Sequence, residues 1–161
     1  MSNTTQGVDA RAYLAGWLQA VTGMTIADIN AIPDDKWTEG HGGCTRPANA
    51  LISDTVTMLK WTTAAAQGEE SSVYNDMDAL TETYKDKATA IGGLQEASAA
   101  FGAAITSASD EALNAVVNAP WGMPTPVFIL AQIAVSHIWY HDGQLNYIQS
   151  LLGDGEVHWM V

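Results

Sequence analysis

The sequence has a single cysteine, Cys44, so no intrachain disulfide can form and a reducing compartment is expected. Positive charge is also scarce. Six Lys and Arg stand against eighteen Asp and Glu, a formal net charge of -12. Such a surface repels phosphate backbones and anionic headgroups, which argues against nucleic acid or a membrane as partner. No run approaches the roughly eighteen apolar residues that a spanning helix requires. The opening MSNTTQGVDAR lacks the basic-then-apolar order of a secretory signal, so the cytoplasm is the expected location. A Gly-rich phosphate loop, a nucleophile elbow and a CxxC pair are all missing, leaving nucleotide binding and serine or cysteine triads without support. Neither a β-alternating run of useful length nor an internal repeat is present.

What remains is an apolar, helix-patterned chain. Apolar residues make up 47% and charged ones 15% of 161 residues, which predicts one globular domain over residues 1–161. From Val8 to Ile29, Tyr13, Leu14, Trp17, Leu18, Val21 and Met24 recur at helical spacing, and Pro33 ends that helix. A long loop follows from Ile32 to Cys44. Thr45 is the expected N-cap of a second helix, with Pro47 in its first turn and Leu51, Met58 and Trp61 on its apolar face. The spacing of Leu80, Tyr84, Ile91, Leu94, Phe101 and Ile105 predicts a third helix from Met77 to Ile105, with a kink or close contact at Gly92 and Gly93. Ser109 opens a short helix to Val117, and NAPWGMPTP reads as a linker. A last helix starts at Pro126, capped by Thr125, and stops near Gly153. Four long amphipathic helices imply an all-α four-helix bundle.

The last helix carries the candidate chemistry. Leu130, Ile133, His137, Tyr140, Gln144, Ile148 and Leu151 form one expected stripe, and His141 lies one turn after His137. Two imidazoles at i and i+4 project from one face about 6 Å apart and can share an ion. Helix two offers Asp54 within the stripe Leu51, Asp54, Met58, Trp61, a carboxylate where an aliphatic residue is expected. Burying it is costly unless a cation or donors surround it. Two histidines and a carboxylate suit Zn, Ni, Fe or Mn and leave positions open for water and substrate. The competing readings are core histidines satisfied by neighbours and an Asp54 turned sideways to solvent or hydrogen-bonded locally. Gln144 can donate to a metal-bound group or simply pack. His41 and Cys44 have H-x-x-C spacing but sit among glycines, and His158 near the C-terminus reads as exposed.

The run His137-Ile-Trp-Tyr-His141-Asp-Gly143-Gln144 resembles the H-x-x-x-H-x-G-Q signature in the last helix of the DinB-like (YfiT-like) superfamily of metalloenzymes. The resemblance implies a four-helix bundle of up-down-down-up topology and a zinc or nickel site. In that superfamily three histidines often bind the metal, one in helix two and two in the last helix. His137 and His141 match the last two. The helix-two histidine is missing; its position falls at Ser53 or Asp54, where some members of the superfamily use an acid, and Asp142 stands where a basic or apolar residue is common. The superfamily further implies a homodimer and either thiol S-transfer or hydrolysis on a small-molecule substrate, with the metal activating a thiol or water. No catalytic residue beyond the ligands is assigned. The alternative is a non-catalytic bundle, a binding or structural protein with a degenerate metal site.

Overall fold

Asp9 opens the first helix, α1 (Ala10–Ala31), by accepting hydrogen bonds from the backbone N–H groups of Arg11 and Ala12. The computed structural model describes residues 9–159; Val8, where the periodic stretch begins in the sequence, lies outside them. Helix α1 ends before Pro33, as its sequence dictates. The second helix, α2 (Ala48–Gln67), starts after Pro47 and closes on Gly68, whose φ of 76° is the left-handed conformation glycine favours there. Thr45 is not its cap. The Thr45 hydroxyl instead accepts from the His41 N–H and donates to the Gly42 carbonyl, closing the loop before the helix.

The expected third helix is two: α3 (Met77–Thr83) and α4 (Lys87–Ser107). The break falls at Tyr84–Asp86. Asp86 caps α4 by accepting from the Thr89 N–H at 2.7 Å, a bond unavailable to it within a continuous helix. The Tyr84 carbonyl, freed at the end of α3, accepts from the buried Trp37 indole at 2.8 Å. Gly93 is indeed a close contact: a Cβ there would sit 1.9 Å from the Tyr84 hydroxyl. After the short α5 (Asp110–Asn114), the segment expected to be helix and linker forms a two-stranded antiparallel hairpin. Its strands, β1 (Val116–Asn118) and β2 (Pro124–Pro126), pair Val117 with Thr125. The last helix, α6 (Val127–Leu151), follows with Pro126, not Thr125, at its N-cap.

Side-chain contacts fix the helix directions. Helices α1 and α4 are antiparallel, since Thr22 donates to Ser98 in mid-helix while Arg11 reaches the Ala108 carbonyl at the far end. Helices α1 and α6 are parallel: Trp17 packs on Trp139 near one end, and Asn146 and Gln149 donate to Asp28 near the other. Asp54 of α2 faces His137 and His141 while Leu51 shares a cleft with Ile148, so α2 and α6 are antiparallel. The result is an up-down-down-up bundle in which α1 packs on α4 and α6, and α2 packs on the same two. The connection from α1 to α2 therefore crosses the bundle diagonally.

Leu14, Leu18, Val21, Leu94 and Phe101 fill the core as the periodicity predicts, joined by Ile52, Leu59 and Ile138, which lie off the expected stripes. The face of α6 is rotated from the expected stripe. Tyr140 and Leu151 are exposed, whereas Ala131, Ala134, Ile138, His141, Asp142, Leu145 and Gln149 are buried. Small and polar residues carry much of this face, and a stripe drawn through large apolar side chains passes to one side of it. Tyr13 and Trp17 of α1 likewise lie outside the core. Among the described residues no helix is long and apolar enough to cross a membrane.

Candidate metal centre

Antiparallel packing of α2 on α6 brings Asp54 opposite the two histidines. Asp54 Oδ2 lies 3.3 Å from His141 Nε2 and 3.9 Å from His137 Nε2, and the two Nε2 atoms are 3.1 Å apart. On a tetrahedron with metal–ligand bonds of about 2.0–2.1 Å, neighbouring donor atoms stand about 3.4 Å apart. The three atoms thus form one face of such a site. Among the described residues this is the one group of three or more His, Cys, Asp or Glu side chains gathered closely enough to hold an ion. Ser53, the other helix-two position that the sequence leaves open, turns back and donates to its own helix at the Asn49 carbonyl.

The protonation pattern favours a cation between them. His141 Nδ1 lies 2.6 Å from the Gln144 side-chain carbonyl oxygen, which can only accept, so Nδ1 carries the proton and Nε2 keeps its lone pair. That lone pair faces the Asp54 carboxylate and His137, an arrangement that a shared positive charge relieves. A histidine ligand held by a carbonyl through its other nitrogen is the usual second layer of metal sites. Gln144 also donates from its amide to the Tyr140 hydroxyl at 3.3 Å. His137 Nδ1 is buried without a protein partner.

Electrostatics keep the donors in binding form. Burial lowers the His137 imidazole to about 4, with the positive charges of His141 and Arg46 acting in the same direction and Asp54 opposing them. His137 is therefore neutral at pH 7. Burial pushes the Asp54 carboxyl up, but the facing His141, Arg46 and His137 together outweigh it and hold the group well below the usual carboxylate range. The Tyr74 phenol is pushed up to about 12 by burial and by the Asp54 charge, so it stays protonated beside the site.

Arg46 escapes a motif search. It donates from Nη1 to Asp54 Oδ2 at 2.7 Å and from Nη2 to the Ala50 carbonyl at 2.8 Å. The available signal is its rarity, one of six basic residues in the chain, placed just ahead of the helix that bears Asp54. A second polar cluster also lies outside the predicted site. Asp28 and Asp142 are buried between α1 and α6 beside Thr25 and Asn146, and Asp142 is thereby turned away from the histidines. His41 and Cys44 acquire no third ligand-type partner among the described residues, and Cys44 is exposed. His158 is half-buried and bonded to Asp154 at 2.7 Å.

No protein-family model matches the chain, and no curated protein matches it significantly. Among solved structures the chain is similar to the crystal structure of the mycothiol-dependent maleylpyruvate isomerase, with a TM-score of 0.66 and 13% identity over 84% of this chain. The chain spans 60% of the length of that protein. At this identity the likeness is one of fold, and the architecture is the all-α, DinB-like four-helix bundle.

Proposed function

We propose that the chain binds a divalent metal, zinc or nickel, through Asp54, His137 and His141, and acts as a thiol S-transferase or hydrolase on a small molecule. The convergence of three donor atoms, with His141 oriented by Gln144, carries this reading. A metal held there supplies Lewis acidity, lowering the pKa of a thiol or water at an open position. The protein's own residues do the rest: Gln144 fixes the His141 tautomer, Arg46 keeps Asp54 ionised, and burial keeps His137 neutral. The similar structure, a mycothiol-dependent isomerase, offers a precedent for thiol chemistry on this fold. A cytoplasmic location and a homodimeric state belong to the same reading; light scattering checks the second.

One observation favours a second reading, a non-catalytic bundle. Arg46 already neutralises Asp54, and Gln144 already satisfies His141. Metal content of protein purified without affinity tag or chelator separates the two. Near-stoichiometric metal in the wild type, lost in His141→Ala and Asp54→Ala, supports the enzyme reading. A wild type that takes up neither zinc nor nickel when supplied with them leaves only the second.

A further inference from the structure

The atom of Asp54 that faces the histidines is the same atom that Arg46 holds. Oδ2 accepts from Arg46 Nη1 at 2.7 Å and lies 3.3 Å from His141 Nε2. A cation entering between the histidines and Asp54 therefore meets the guanidinium across one oxygen. The charge of the centre changes accordingly. Imidazoles bind a metal in their neutral form, so within the ligand set the carboxylate and the guanidinium cancel. A divalent ion turns it into a site of two net positive charges in a protein of net charge -12.

A cleft adjoins the site through two shared residues. Arg46 and Gln144, which bond Asp54 and His141 respectively, also line a cavity of about 390 Å3 together with Gly42, Gly43, Cys44 and Tyr147. Gly42 and Gly43 have φ of 100° and 57°, so the loop curls round the cavity without side chains to fill it. Arg46 is the one cationic side chain in the lining. Its bonds to Asp54 and Ala50 use two of its five N–H groups, and the planar fork suits a carboxylate.

We infer that this cleft is the binding place for a carboxylate group of the substrate, engaged by Arg46 when metal occupies the neighbouring donors. The inference rests on the metal reading above and narrows it to small organic acids. Without metal, Arg46 is spent on Asp54 and the cleft has little attraction for an anion. With metal, Asp54 gives its charge to the ion, and Arg46, left beside a like charge, is best neutralised by a carboxylate from the cleft. Metal and acid thus favour each other's binding, and by linkage each raises the other's affinity by the same factor.

Calorimetric titration of succinate into the full chain, zinc-loaded and metal-free, tests this, with Arg46→Gln and Arg46→Lys beside the wild type and succinamide as the uncharged control. The expected result is succinate binding to the zinc-loaded wild type at least tenfold tighter than to the metal-free protein. Arg46→Gln, with its zinc content measured alongside, loses that gain, Arg46→Lys keeps part of it, and succinamide does not bind. Zinc affinity of the wild type, measured with and without succinate, must rise by the same factor, a check independent of whether any variant folds. Zinc uptake with equal succinate binding by wild type and Arg46→Gln, or by loaded and metal-free protein, overturns this inference and leaves the metal reading standing. Failure of the wild type to bind zinc overturns both.

Discussion

Arg46 and His141 meet on one oxygen: Oδ2 of Asp54 stands 2.7 Å from the guanidinium of the first and 3.3 Å from the imidazole of the second. One contact neutralises the acid and the other aims it at the ligands.

Replacing Gln144 by Leu removes the acceptor that fixes the His141 tautomer, leaving Nδ1 free to lose its proton to Nε2. Loss of such an outer partner typically weakens metal affinity by about 10- to 100-fold. Competition of the variant against a chromophoric zinc chelator measures the drop. Unchanged affinity would show that Gln144 merely packs.

Asp142 gives the bundle a pH dependence. Burial, then the neighbouring Asp28 charge and a hydrogen bond with Asp28, push its carboxyl up to about 7, while the Thr25 hydroxyl works the other way. The folded state thus holds this proton more tightly than the unfolded chain, where Asp titrates near 3.9. Its contribution is fully present below about pH 4 and is lost as pH rises towards about 7. Between pH 5 and pH 8 the loss is on the order of 2–3 kcal/mol. Urea midpoints at the two pH values should differ in the wild type, and Asp142→Asn, neutral throughout, should remove most of the difference. An identical slope in both proteins refutes the assignment.

The adjacent glycines of α4 should respond oppositely to alanine. A Cβ on Gly92 meets open space, so Gly92→Ala is expected to stabilise the helix by up to about 1 kcal/mol. A Cβ on Gly93 collides with the Tyr84 ring and hydroxyl, and overpacking of this kind costs about 1–3 kcal/mol. Chemical denaturation of the two variants side by side reads the sign directly.

Trp37→Phe should destabilise by more than its lost volume. The indole N–H is the partner of the Tyr84 carbonyl in the buried break between α3 and α4. Leaving that carbonyl unpaired costs about 1–3 kcal/mol. A thermal midpoint equal to that of the wild type would mean that water or another donor takes the place of the indole.

Helical spacing made the four long helices legible, because Leu14, Leu18 and Val21 on α1, or Leu94, Phe101 and Ile105 on α4, repeat faithfully. It could not show the break at Tyr84–Asp86, since the apolar rhythm runs straight across it and Asp86 looks like any surface acid until its cap bond is seen. The hairpin before α6 is hidden by its prolines, which suit short edge strands but read as linker. Within the site, the histidine pair and Asp54 follow from residue type and spacing. Arg46 and the Asp28–Asp142 pair do not, because each depends on which helix packs beside which, and the diagonal crossing from α1 to α2 is invisible to periodicity.

That same diagonal crossing sets α2, and Asp54 with it, against a helix far away in sequence. The histidines that face Asp54 stand more than eighty residues further along, on the last helix. Arg46, only eight residues away, is already at hand. The counter-ion of Asp54 is thus local in the chain, whereas the histidines reach it only across the interface with α6.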